Sequence, residues 1–258
     1  MSGTRRVSVV VGGASGLGWA TAQALAAAGD TVVVADIDEG GARSRAAELG
    51  SPHSGAYVDV TDEGSVEALF ARVVDEHGAF QCAVNCAGTS TLSPIVDHDA
   101  AEWRRIVDIC LNGAFLVLKH AGKRVDDGGA LVTLTSLNAR QPGTGLGAYC
   151  ASKAGIVALT EVAALELGPR RVRVNGVAPG LVVTPLTEPA MAIPGVEDEY
   201  VENTPLGRSG RPEEIGAAVR YLLSDDAAWI TGETLDINGG AHLRRYPDLW
   251  SLVVKAMG

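Results

Sequence analysis

The stretch VSVVVGGASGLG, residues 7–18, decides the fold class of this chain. A short β-branched run meets a cluster of glycines and then a stretch of helical period. Gly12, Gly16 and Gly18 stand in a GxxxGxG arrangement between the two segments. A glycine-rich turn in that place lets the backbone approach a pyrophosphate, whose charge the helix N-terminus attracts. The alternative is a tight turn in a purely structural βα unit, but the position after the first strand favours cofactor binding.

Asp36 stands eighteen residues past Gly18, at the end of the next β-branched run. An acid there accepts hydrogen bonds from both hydroxyls of an adenosine ribose, whereas it repels a 2′-phosphate. Residues Ile37 to Gly41 hold no basic side chain, and Arg43 is the first one after them. The pattern favours NAD(H) over NADP(H). The alternative is that Asp36 or Asp38 only caps the next helix, a role for which Asp38 is better placed.

Short β-branched runs alternate with longer alanine-rich stretches of helical period along the whole chain. That alternation is typical of βαβ units in a parallel sheet with helices on both faces. We predict a doubly wound, three-layer α/β fold in a single domain, residues 1–258. The seven predicted strands are Val7–Val11, Thr31–Asp36, Ser54–Val58, Gln81–Asn85, Ala130–Thr135, Arg171–Val177 and Thr234–Ile237. The predicted helices are Gly16–Ala28, Glu39–Leu49, Gly64–His77, Ala100–Ala121, Ala148–Leu167 and Pro212–Ser224.

The charge balance excludes one class of partner. The chain has 31 acidic against 21 basic residues, a net charge of -10, and no block of Lys or Arg. Binding to a phosphate backbone needs the opposite balance, so we do not expect a nucleic acid partner. No stretch approaches the roughly 18 uninterrupted apolar residues of a membrane span, so we expect a soluble, cytoplasmic protein.

The four cysteines lie inside apolar segments, without a CxxC pair or a matching histidine spacing. This predicts buried free thiols in a reducing compartment and no metal site. The alternative is a redox role for Cys82 and Cys86, although their spacing suits a strand and the turn after it.

Over essentially its whole length the sequence resembles the short-chain dehydrogenase/reductase family. The motifs that carry the resemblance arrive in the family's order: GGASGLG at 12–18, Asp59 and Val60 after the third predicted strand, NCAG at 85–88, Asn112, Ser136, YCASK at 149–153 and PGLVVT at 179–184. The resemblance implies a Rossmann-like fold and a nicotinamide cofactor. It also implies a catalytic set made of Asn112, Ser136, Tyr149 and Lys153.

The same resemblance implies where the cofactor binds. Asp59 and Val60 would hold the adenine, Asn85 and its neighbours would support the central strand, and Thr184 with Val182 would secure the nicotinamide amide. The full implied set is Gly12, Ser15, Gly16, Leu17, Gly18, Asp36, Ile37, Asp59, Val60, Asn85, Ala87, Gly88, Tyr149, Lys153, Pro179, Gly180, Val182 and Thr184.

Two residues depart from the family pattern. Val11 stands where the family usually has Thr, so a hydroxyl that helps brace the glycine turn is missing. Cys86 replaces the usual second Asn of NNAG. Because both positions are supporting ones, we expect altered stability or cofactor affinity before any loss of chemistry.

Tyr149 and Lys153 are four residues apart, which places both on one face of a helix. Chance predicts only roughly 0.08 YxxxK pairs in a chain of this composition, so the motif is informative. Exchange between an alcohol and a ketone needs a proton transferred at the same oxygen, and a tyrosine with a pKa of about 10 is a poor base at neutral pH. A lysine charge about 4 Å away would lower that pKa by up to ~3 units.

Ser136 and Asn112 complete the predicted constellation. Ser136 follows the fifth predicted strand, where open α/β sheets bind their ligands, and its hydroxyl can hold a substrate oxygen beside the phenol. Asn112 is a polar residue in an apolar helix and would hold a water that links Lys153 to solvent. Taken singly, Ser136 would be a turn residue, Lys153 a solvated charge and Asn112 a buried group bonded to backbone. Their joint occurrence favours the catalytic interpretation.

Two later segments are predicted to shape the substrate site. The irregular region 181–206 carries four prolines and several apolar side chains, which is typical of a mobile lid; an ordered surface loop is the alternative. The tail, residues 241–258, extends past the last strand. It would rim an active site or dock on a neighbouring subunit, or else be disordered.

The helix Ala148–Leu167 is apolar on more than one side and resembles, with Ala100–Ala121 and the final strand, the family's subunit interfaces. We therefore expect a homotetramer, with a dimer as the alternative. The chain as a whole is expected to transfer a hydride between NAD(H) and a secondary alcohol or ketone, with Tyr149 as general acid and base. The alternatives are a 3-ketoacyl-thioester reductase of the same family and a non-catalytic dinucleotide-binding sensor.

Overall fold

The computed structural model describes residues 5–257 and contains one parallel sheet. The seven strands of the sheet lie in the order β3-β2-β1-β4-β5-β6-β7. Their bounds are β1 Val7–Val11, β2 Thr31–Asp36, β3 Ser54–Tyr57, β4 Cys82–Asn85, β5 Ala130–Leu134, β6 Arg173–Pro179 and β7 Thr234–Ile237. The predicted seven-stranded parallel sheet is confirmed, with the bounds of β1, β2 and β7 as predicted and those of β3 to β6 shifted by one or two residues.

Helices cover both faces of this sheet. Within residues 5–257 they are α1 Gly16–Ala27, α2 Glu39–Leu49, α3 Glu63–His77, α4 Ala100–Val107, α5 Gly113–Arg124, α6 Gly147–Leu167, α7 Glu188–Met191, α8 Val196–Glu202, α9 Pro212–Leu223 and α10 Leu249–Met257. Asp38 precedes α2 and accepts a hydrogen bond from the N–H of Gly41 at 3.0 Å. Asp38 therefore caps the helix, as its position in the sequence predicted.

The valines of β1 show why the sheet is buried on both faces. Val9 and Val11 pack into one hydrophobic core together with side chains of α3, α5 and α6. Val10 packs into the other core with side chains of α1, α2 and α9. Successive side chains of a strand point to opposite faces, so only an unbroken apolar run satisfies both cores. The doubly wound, three-layer arrangement follows from this run and from its counterparts in the neighbouring strands.

The strand order creates a crevice at the centre of the sheet. From β1 the chain moves outward through β2 to β3, and it then returns to place β4 on the other side of β1. Where the direction of the crossovers reverses, the loops after the two central strands diverge, and open α/β sheets bind ligands there. The glycine turn after β1 and the NCAG segment after β4 both lie at this point.

Two predicted segments differ in the structure. The predicted helix Ala100–Ala121 is broken by a π-helical turn, Asp108–Asn112, which separates α4 from α5. Region 181–206, predicted to be irregular, contains the short helices α7 and α8. Periodicity does not reveal a π turn, because one inserted residue leaves the apolar pattern on either side intact.

One segment within residues 5–257 is long and apolar enough to span a membrane by length and composition: α6 with the turn after it, Gly147–Arg170, 24 residues, in which an 18-residue window has a mean hydropathy of 1.3. Lys153, Glu161 and Glu166 interrupt this segment, so it is not an uninterrupted apolar run. In the fold, α6 packs against β6, with Ile156 and Ala164 buried. Packing against the sheet accounts for the apolar character of this helix.

The contact between α1 and α9 gives a test of the packing on one face of the sheet. A Cβ atom at Gly216 in α9 would lie 2.7 Å from the backbone oxygen of Ala20 in α1, so Gly216→Ala must push the two helices apart. We expect this change to lower the free energy of unfolding by about 1–3 kcal/mol. Urea unfolding of the wild type and the variant measures the difference.

The matched control is Gly40→Ala at an exposed position in α2, where the nearest atom to the new Cβ would be 3.6 Å away. Because alanine is the better helix former, the control should leave stability unchanged or raise it by up to about 1 kcal/mol. Equal stabilities of the two variants would refute the close approach of α1 and α9.

Candidate active site

The glycine turn is held by backbone contacts that leave no space for side chains at two of its positions. Gly12 has φ +73°, and a Cβ atom there would lie 2.7 Å from the backbone nitrogen of Ala87. A Cβ atom at Gly18 would lie 1.9 Å from the backbone oxygen of Gly12. The turn therefore packs directly against both the segment after β4 and the first turn of α1. The N–H groups of Gly16, Leu17 and Gly18, in the first turn of α1, have no acceptor within the helix, and these residues line the central crevice.

Backbone groups also replace the missing hydroxyl of the turn. The N–H groups of Gly12 and Gly13 both donate to the carbonyl oxygen of Ala35, at 2.8 and 3.1 Å. The N–H of Cys86 donates to the carbonyl oxygen of Val11 at 2.8 Å. These bonds connect β2, the turn and the β4 exit without a side chain at position 11.

The carboxylate of Asp36 is tied to the glycine turn. One carboxylate oxygen accepts from the N–H of Ala14 at 3.0 Å, and the other accepts from the N–H of Asp38 at 3.1 Å. Since a carboxylate offers about four acceptor positions, positions remain for two further donors. Asp36 is therefore held at the mouth of the crevice with acceptor capacity directed to a ligand.

A long cleft follows the carboxyl ends of β1, β2 and β4, and we call it the dinucleotide cleft. It has a volume of about 790 Å³ and reaches from Asp36 and Ile37 past the glycine turn to Thr184 and Leu186. It brings together twelve of the predicted cofactor residues: Gly12, Ser15, Gly16, Leu17, Gly18, Asp36, Ile37, Asp59, Val60, Ala87, Gly88 and Thr184.

A smaller cavity of about 110 Å³, the junction cavity, adjoins this cleft through Leu17, Gly88 and Thr184, which line both. It brings together six more predicted residues: Ser136, Tyr149, Lys153, Pro179, Gly180 and Val182. Asn85 lines neither cavity. Its buried side chain accepts from the N–H of Ala87 at 3.1 Å, which agrees with the supporting role predicted for it.

Tyr149 and Ser136 both line the junction cavity. Ser136 follows β5, and its hydroxyl accepts from the N–H of Asn138 at 3.1 Å. Tyr149 lies in the first turn of α6, where its ring packs against the buried cluster of Ile106, Cys110 and Ala148. The two hydroxyl groups can therefore meet a single oxygen atom of a bound molecule.

Lys153 is a buried cation one helical turn from Tyr149. Its side chain is almost fully enclosed, and its ammonium nitrogen donates to the carbonyl oxygen of Leu134 at 2.8 Å. The same nitrogen lies 5.5 Å from the centre of the Tyr149 ring. Burial lowers the pKa of Lys153, because the interior disfavours its charge.

The electrostatics of Tyr149 differ from the expectation that Lys153 acidifies the phenol. Burial raises the pKa of Tyr149 to about 12, and the contact with Ser136 counteracts this only in part. Desolvation of the phenolate is the largest cause of this raised pKa, and the ammonium of Lys153 directs its hydrogen bond at Leu134. In this structure Tyr149 is a neutral hydroxyl at pH 7.

The structure does not bring Asn112 to the other predicted catalytic residues. Asn112 is exposed at the end of the π turn, and its amide donates to Asp108 at 2.7 Å. Cys110, in the same turn, points inward instead, and a Cβ atom at Gly88 would lie 3.6 Å from the Lys153 nitrogen and 3.9 Å from the Cys110 sulfur. The π turn changes which side chains face the sheet, and no sequence signal marks that change. Asn112 is therefore removed from the candidate site, and Cys110 borders it.

Cys110 joins the π turn to the loop after β4. Its sulfur accepts from the N–H of Thr89 at 3.4 Å and donates to the carbonyl oxygen of the same residue at 3.2 Å. Cys82 and Cys86 are also free, and burial raises the pKa of their thiols to about 11 and about 12. Such thiols are protonated and unreactive at neutral pH, which argues against a redox role for this pair.

A third cavity, the inner pocket, adjoins the junction cavity through Ser136 and Tyr149 and has a volume of about 300 Å³. Residues of α7 and α8 line one side of it, and Tyr246, Leu249 and Val253 of the tail line another. The tail thus rims the pocket of its own chain, which is one of the roles expected from the sequence.

Thr187 supports the segment between the cavities, and sequence reasoning missed it. Its hydroxyl donates to the carbonyl oxygen of Val182 at 2.8 Å and accepts from the N–H of Thr184 at 2.9 Å. The two residues expected to secure the nicotinamide amide are therefore fixed to each other through Thr187.

The residues present fit a dinucleotide. The cleft is long, the first turn of α1 that lines it has N–H groups without intrahelical acceptors, and Asp36 has acceptor positions to spare. Lys153 has three donors, and within residues 5–257 its one hydrogen bond goes to Leu134, so the ammonium can serve ribose hydroxyls. The cleft therefore offers hydrogen-bond acceptors at Asp36 for one ribose of such a molecule and hydrogen-bond donors at Lys153 for the other.

Comparison with known proteins agrees with this geometry. The profile of a family described as "Enoyl-(Acyl carrier protein) reductase" matches residues 12–242. The chain is 38% identical over 240 residues to the cis-4-hydroxycyclohexanecarboxylate dehydrogenase of Sinomonas cyclohexanicum, covering 91% of this chain and 96% of that protein. It is 39% identical over 240 residues to the D-threitol dehydrogenase of Mycolicibacterium smegmatis, covering 91% and 92%.

Among solved structures, the fold matches that of a short-chain type dehydrogenase/reductase from Mycobacterium ulcerans with a TM-score of 0.93 and 33% identity, covering 99% of this chain and 96% of that one. These similarities extend from the glycine turn past the last strand. The chain therefore belongs to the short-chain dehydrogenase/reductase family, and it is an oxidoreductase of the kind that acts on CH–OH groups with a nicotinamide dinucleotide.

Proposed function

We propose that the protein interconverts a secondary alcohol and a ketone with NAD(H), and that Tyr149 is the general acid and base. One observation carries the proposal. The hydroxyl groups of Ser136 and Tyr149 face the same small cavity, at the point where the dinucleotide cleft joins the inner pocket. A substrate oxygen placed there contacts both hydroxyls, while the substrate carbon faces the cleft.

Ser136, Tyr149 and Lys153 have different roles at the substrate oxygen. When bound, the nicotinamide dinucleotide exchanges a hydride with the substrate carbon, and its oxidised ring carries a positive charge that favours the phenolate. Ser136 holds the substrate oxygen by a hydrogen bond. Tyr149 donates a proton to this oxygen during ketone reduction and removes one during alcohol oxidation. Lys153 orients the cofactor ribose and lowers the energy of the phenolate.

The two directions demand different forms of Tyr149. Because burial raises the pKa of Tyr149 to about 12, the neutral phenol needed for reduction is present at pH 7. Oxidation needs the phenolate. A unit charge about 5 Å away at an effective dielectric near 20 is worth about 3 kcal/mol, or about 2 pKa units, so Lys153 lowers part of this barrier.

The preference for NAD(H) follows from the charges around Asp36. The nearest cations on α2 are engaged: Arg43 pairs with Glu39, and Arg45 bonds to Glu48 and to the carbonyl oxygen of Ala14. A 2′-phosphate would therefore meet the carboxylate of Asp36 without a free cation on α2 to offset it.

We also propose that the protein is a homotetramer that functions in the cytoplasm. Apolar side chains remain exposed on two long helices, with Phe115 of α5 47%, Val162 of α6 49% and Leu165 of α6 79% exposed. Exposed apolar surface on adjacent helices is typical of an association surface. The four free cysteines suit a reducing compartment.

Substitution of the phenol tests the proposed chemistry. Tyr149→Phe should reduce the oxidation of a panel of secondary alcohols with NAD by about 10²–10⁴-fold, because the proton acceptor is lost. NADH affinity, measured by calorimetry, should change little, since the packing surface of the ring is retained. Tyr221→Phe, at an exposed position in α9, is the matched control and should be fully active. A Tyr149→Phe variant as active as the control would refute the assignment, and NADH binding by a wild type that oxidises no alcohol would favour the sensor alternative.

Neutralising Asp36 tests the cofactor preference. The wild type should use NAD in preference to NADP, and Asp36→Asn should shift the ratio of kcat/KM values toward NADP by at least about 10-fold, since a repulsion worth more than about 1.4 kcal/mol is removed. Asp62→Asn makes the same charge change at the cap of α3 and should leave the ratio unchanged. A wild type that prefers NADP would contradict the role given to Asp36.

Light scattering at micromolar concentration tests the assembly. We expect a mass near four times 26.6 kDa. Replacement of the exposed Leu165 by Glu should shift the mass downward, because a buried unpaired charge destabilises an apolar interface. A wild-type mass equal to one chain would exclude the tetramer.

A further inference from the structure

Two tyrosines form a hydrogen-bonded pair in the lining of the inner pocket, apart from Ser136 and Tyr149. The phenol oxygens of Tyr200 in α8 and Tyr246 in the tail lie 3.0 Å apart, and both residues line the pocket. Tyr246 contacts Asn138 at 3.4 Å, and Asn138 contacts the hydroxyl of Ser136 at 3.3 Å. The oxygen of Tyr200 is thus within three hydrogen-bond lengths of the hydroxyl that would hold the reacting oxygen.

Contacts around the tail fix this pair of tyrosines. Tyr246 packs directly on Gly143, where a Cβ atom would lie 2.3 Å from the ring. Arg245 forms an ion pair with Glu199, the residue before Tyr200 in α8. The rings of the two tyrosines meet edge to face, with centroids 6.1 Å apart. The pair is therefore a built part of the pocket rather than a chance encounter of a chain end with the surface.

The directions of the hydrogen bonds follow from Asn138. Its amide nitrogen donates to the carbonyl oxygen of Gln141 at 3.1 Å, so its amide oxygen is the atom that faces Tyr246. An amide oxygen only accepts, so Tyr246 must donate to it. Tyr246 has then used its proton, and the bond between the tyrosines must be donated by Tyr200. Burial raises the pKa of Tyr200, so the phenol keeps the proton that this bond requires.

As a consequence, the oxygen of Tyr200 offers lone pairs to the inner pocket and has no proton to give. A hydroxyl group on a ligand can donate to this oxygen. A methyl group would leave these lone pairs without a donor, and an unmet buried hydrogen-bonding group typically costs about 1–3 kcal/mol. A carboxylate would set a negative oxygen against them.

The lack of charged side chains among the described lining residues also favours a hydroxyl over a carboxylate in the inner pocket. Among the described residues that line the inner pocket, none is Asp, Glu, Lys, Arg or His. Burying an ionised carboxylate without a counter-charge is far more costly than burying a hydroxyl. The volume of about 300 Å³ lies at the lower end of the range for small-molecule sites, which favours a ligand of about one or two rings.

We propose that the inner pocket selects an uncharged, compact secondary alcohol that carries a second hydroxyl, or the corresponding ketone, and that it rejects the carboxylate analogue. The second hydroxyl donates to Tyr200, while the reacting oxygen lies between Ser136 and Tyr149. This inference rests on the proposed function and adds the class of substrate to it.

Three compounds of one shape test the proposal: cis-4-(hydroxymethyl)cyclohexanol, cis-4-methylcyclohexanol and cis-4-hydroxycyclohexanecarboxylate. With saturating NAD, kcat/KM for the diol should exceed that for the methyl compound by about 5- to 100-fold, since one buried polar atom gains its partner. The carboxylate should be at least about 100-fold poorer than the diol. A carboxylate oxidised as well as the diol would overturn the proposal.

Two variants assign the selectivity to Tyr200. Tyr200→Phe keeps the ring and removes the acceptor, so the ratio of kcat/KM for the diol to that for the methyl compound should fall toward one. Tyr221→Phe is the matched control and should keep the wild-type ratio. An unchanged ratio in Tyr200→Phe would overturn the role of this residue.

A binding measurement separates this inference from the proposed function. The thermal unfolding temperature of the NADH complex should rise on addition of the diol and stay unchanged with the carboxylate, whether or not turnover occurs. A rise with the diol but no oxidation of any alcohol would refute the proposed chemistry and leave the selectivity standing. A rise with the carboxylate equal to that with the diol would refute the selectivity alone.

Discussion

A buried ammonium group is the constraint on which the site depends. Lys153 lies in the interior, where a charge is costly unless it is bonded, and the carbonyl oxygen of Leu134 is its hydrogen-bond partner within residues 5–257. This bond anchors α6 to the end of β5 and directs the remaining donors of the ammonium toward the junction cavity. Tyr149 is one helical turn away, so its position follows from that of Lys153.

The same burial governs the chemistry of the phenol. Enclosure raises the pKa of Tyr149 to about 12 and lowers that of Lys153, so both groups are driven toward their uncharged forms. In the proposed mechanism, a phenol with this environment is well suited to donate a proton. The phenol can act as a base only when a nearby positive charge lowers its pKa. The oxidised cofactor would bring such a charge, so proton transfer would depend on cofactor binding.

The inner pocket is assembled from parts of the chain that lie far apart in sequence. Asn138 follows β5, Tyr200 belongs to α8 and Tyr246 belongs to the tail, yet they form one hydrogen-bonded row. The direction of each bond is set by its neighbour, starting from the amide of Asn138. The polarity of the Tyr200 oxygen is thus decided by Asn138, a residue 62 positions away in the sequence.

The sequence by itself determined the fold and most of the cofactor cleft. An unbroken valine run such as β1 is stable only between two apolar layers, and glycines at positions 12 and 18 are required where backbones touch, so both features can be recognised from residue type and spacing. Tertiary structure alone decided which side chains complete the site. The π turn leaves Asn112 exposed and points Cys110 inward. Burial raises the pKa of Tyr149, whereas a lowered pKa was expected. The tail contributes Tyr246 to the inner pocket. The physical reason is the same in each case: side-chain direction, desolvation and long-range contact depend on the packed surroundings, which local periodicity does not encode.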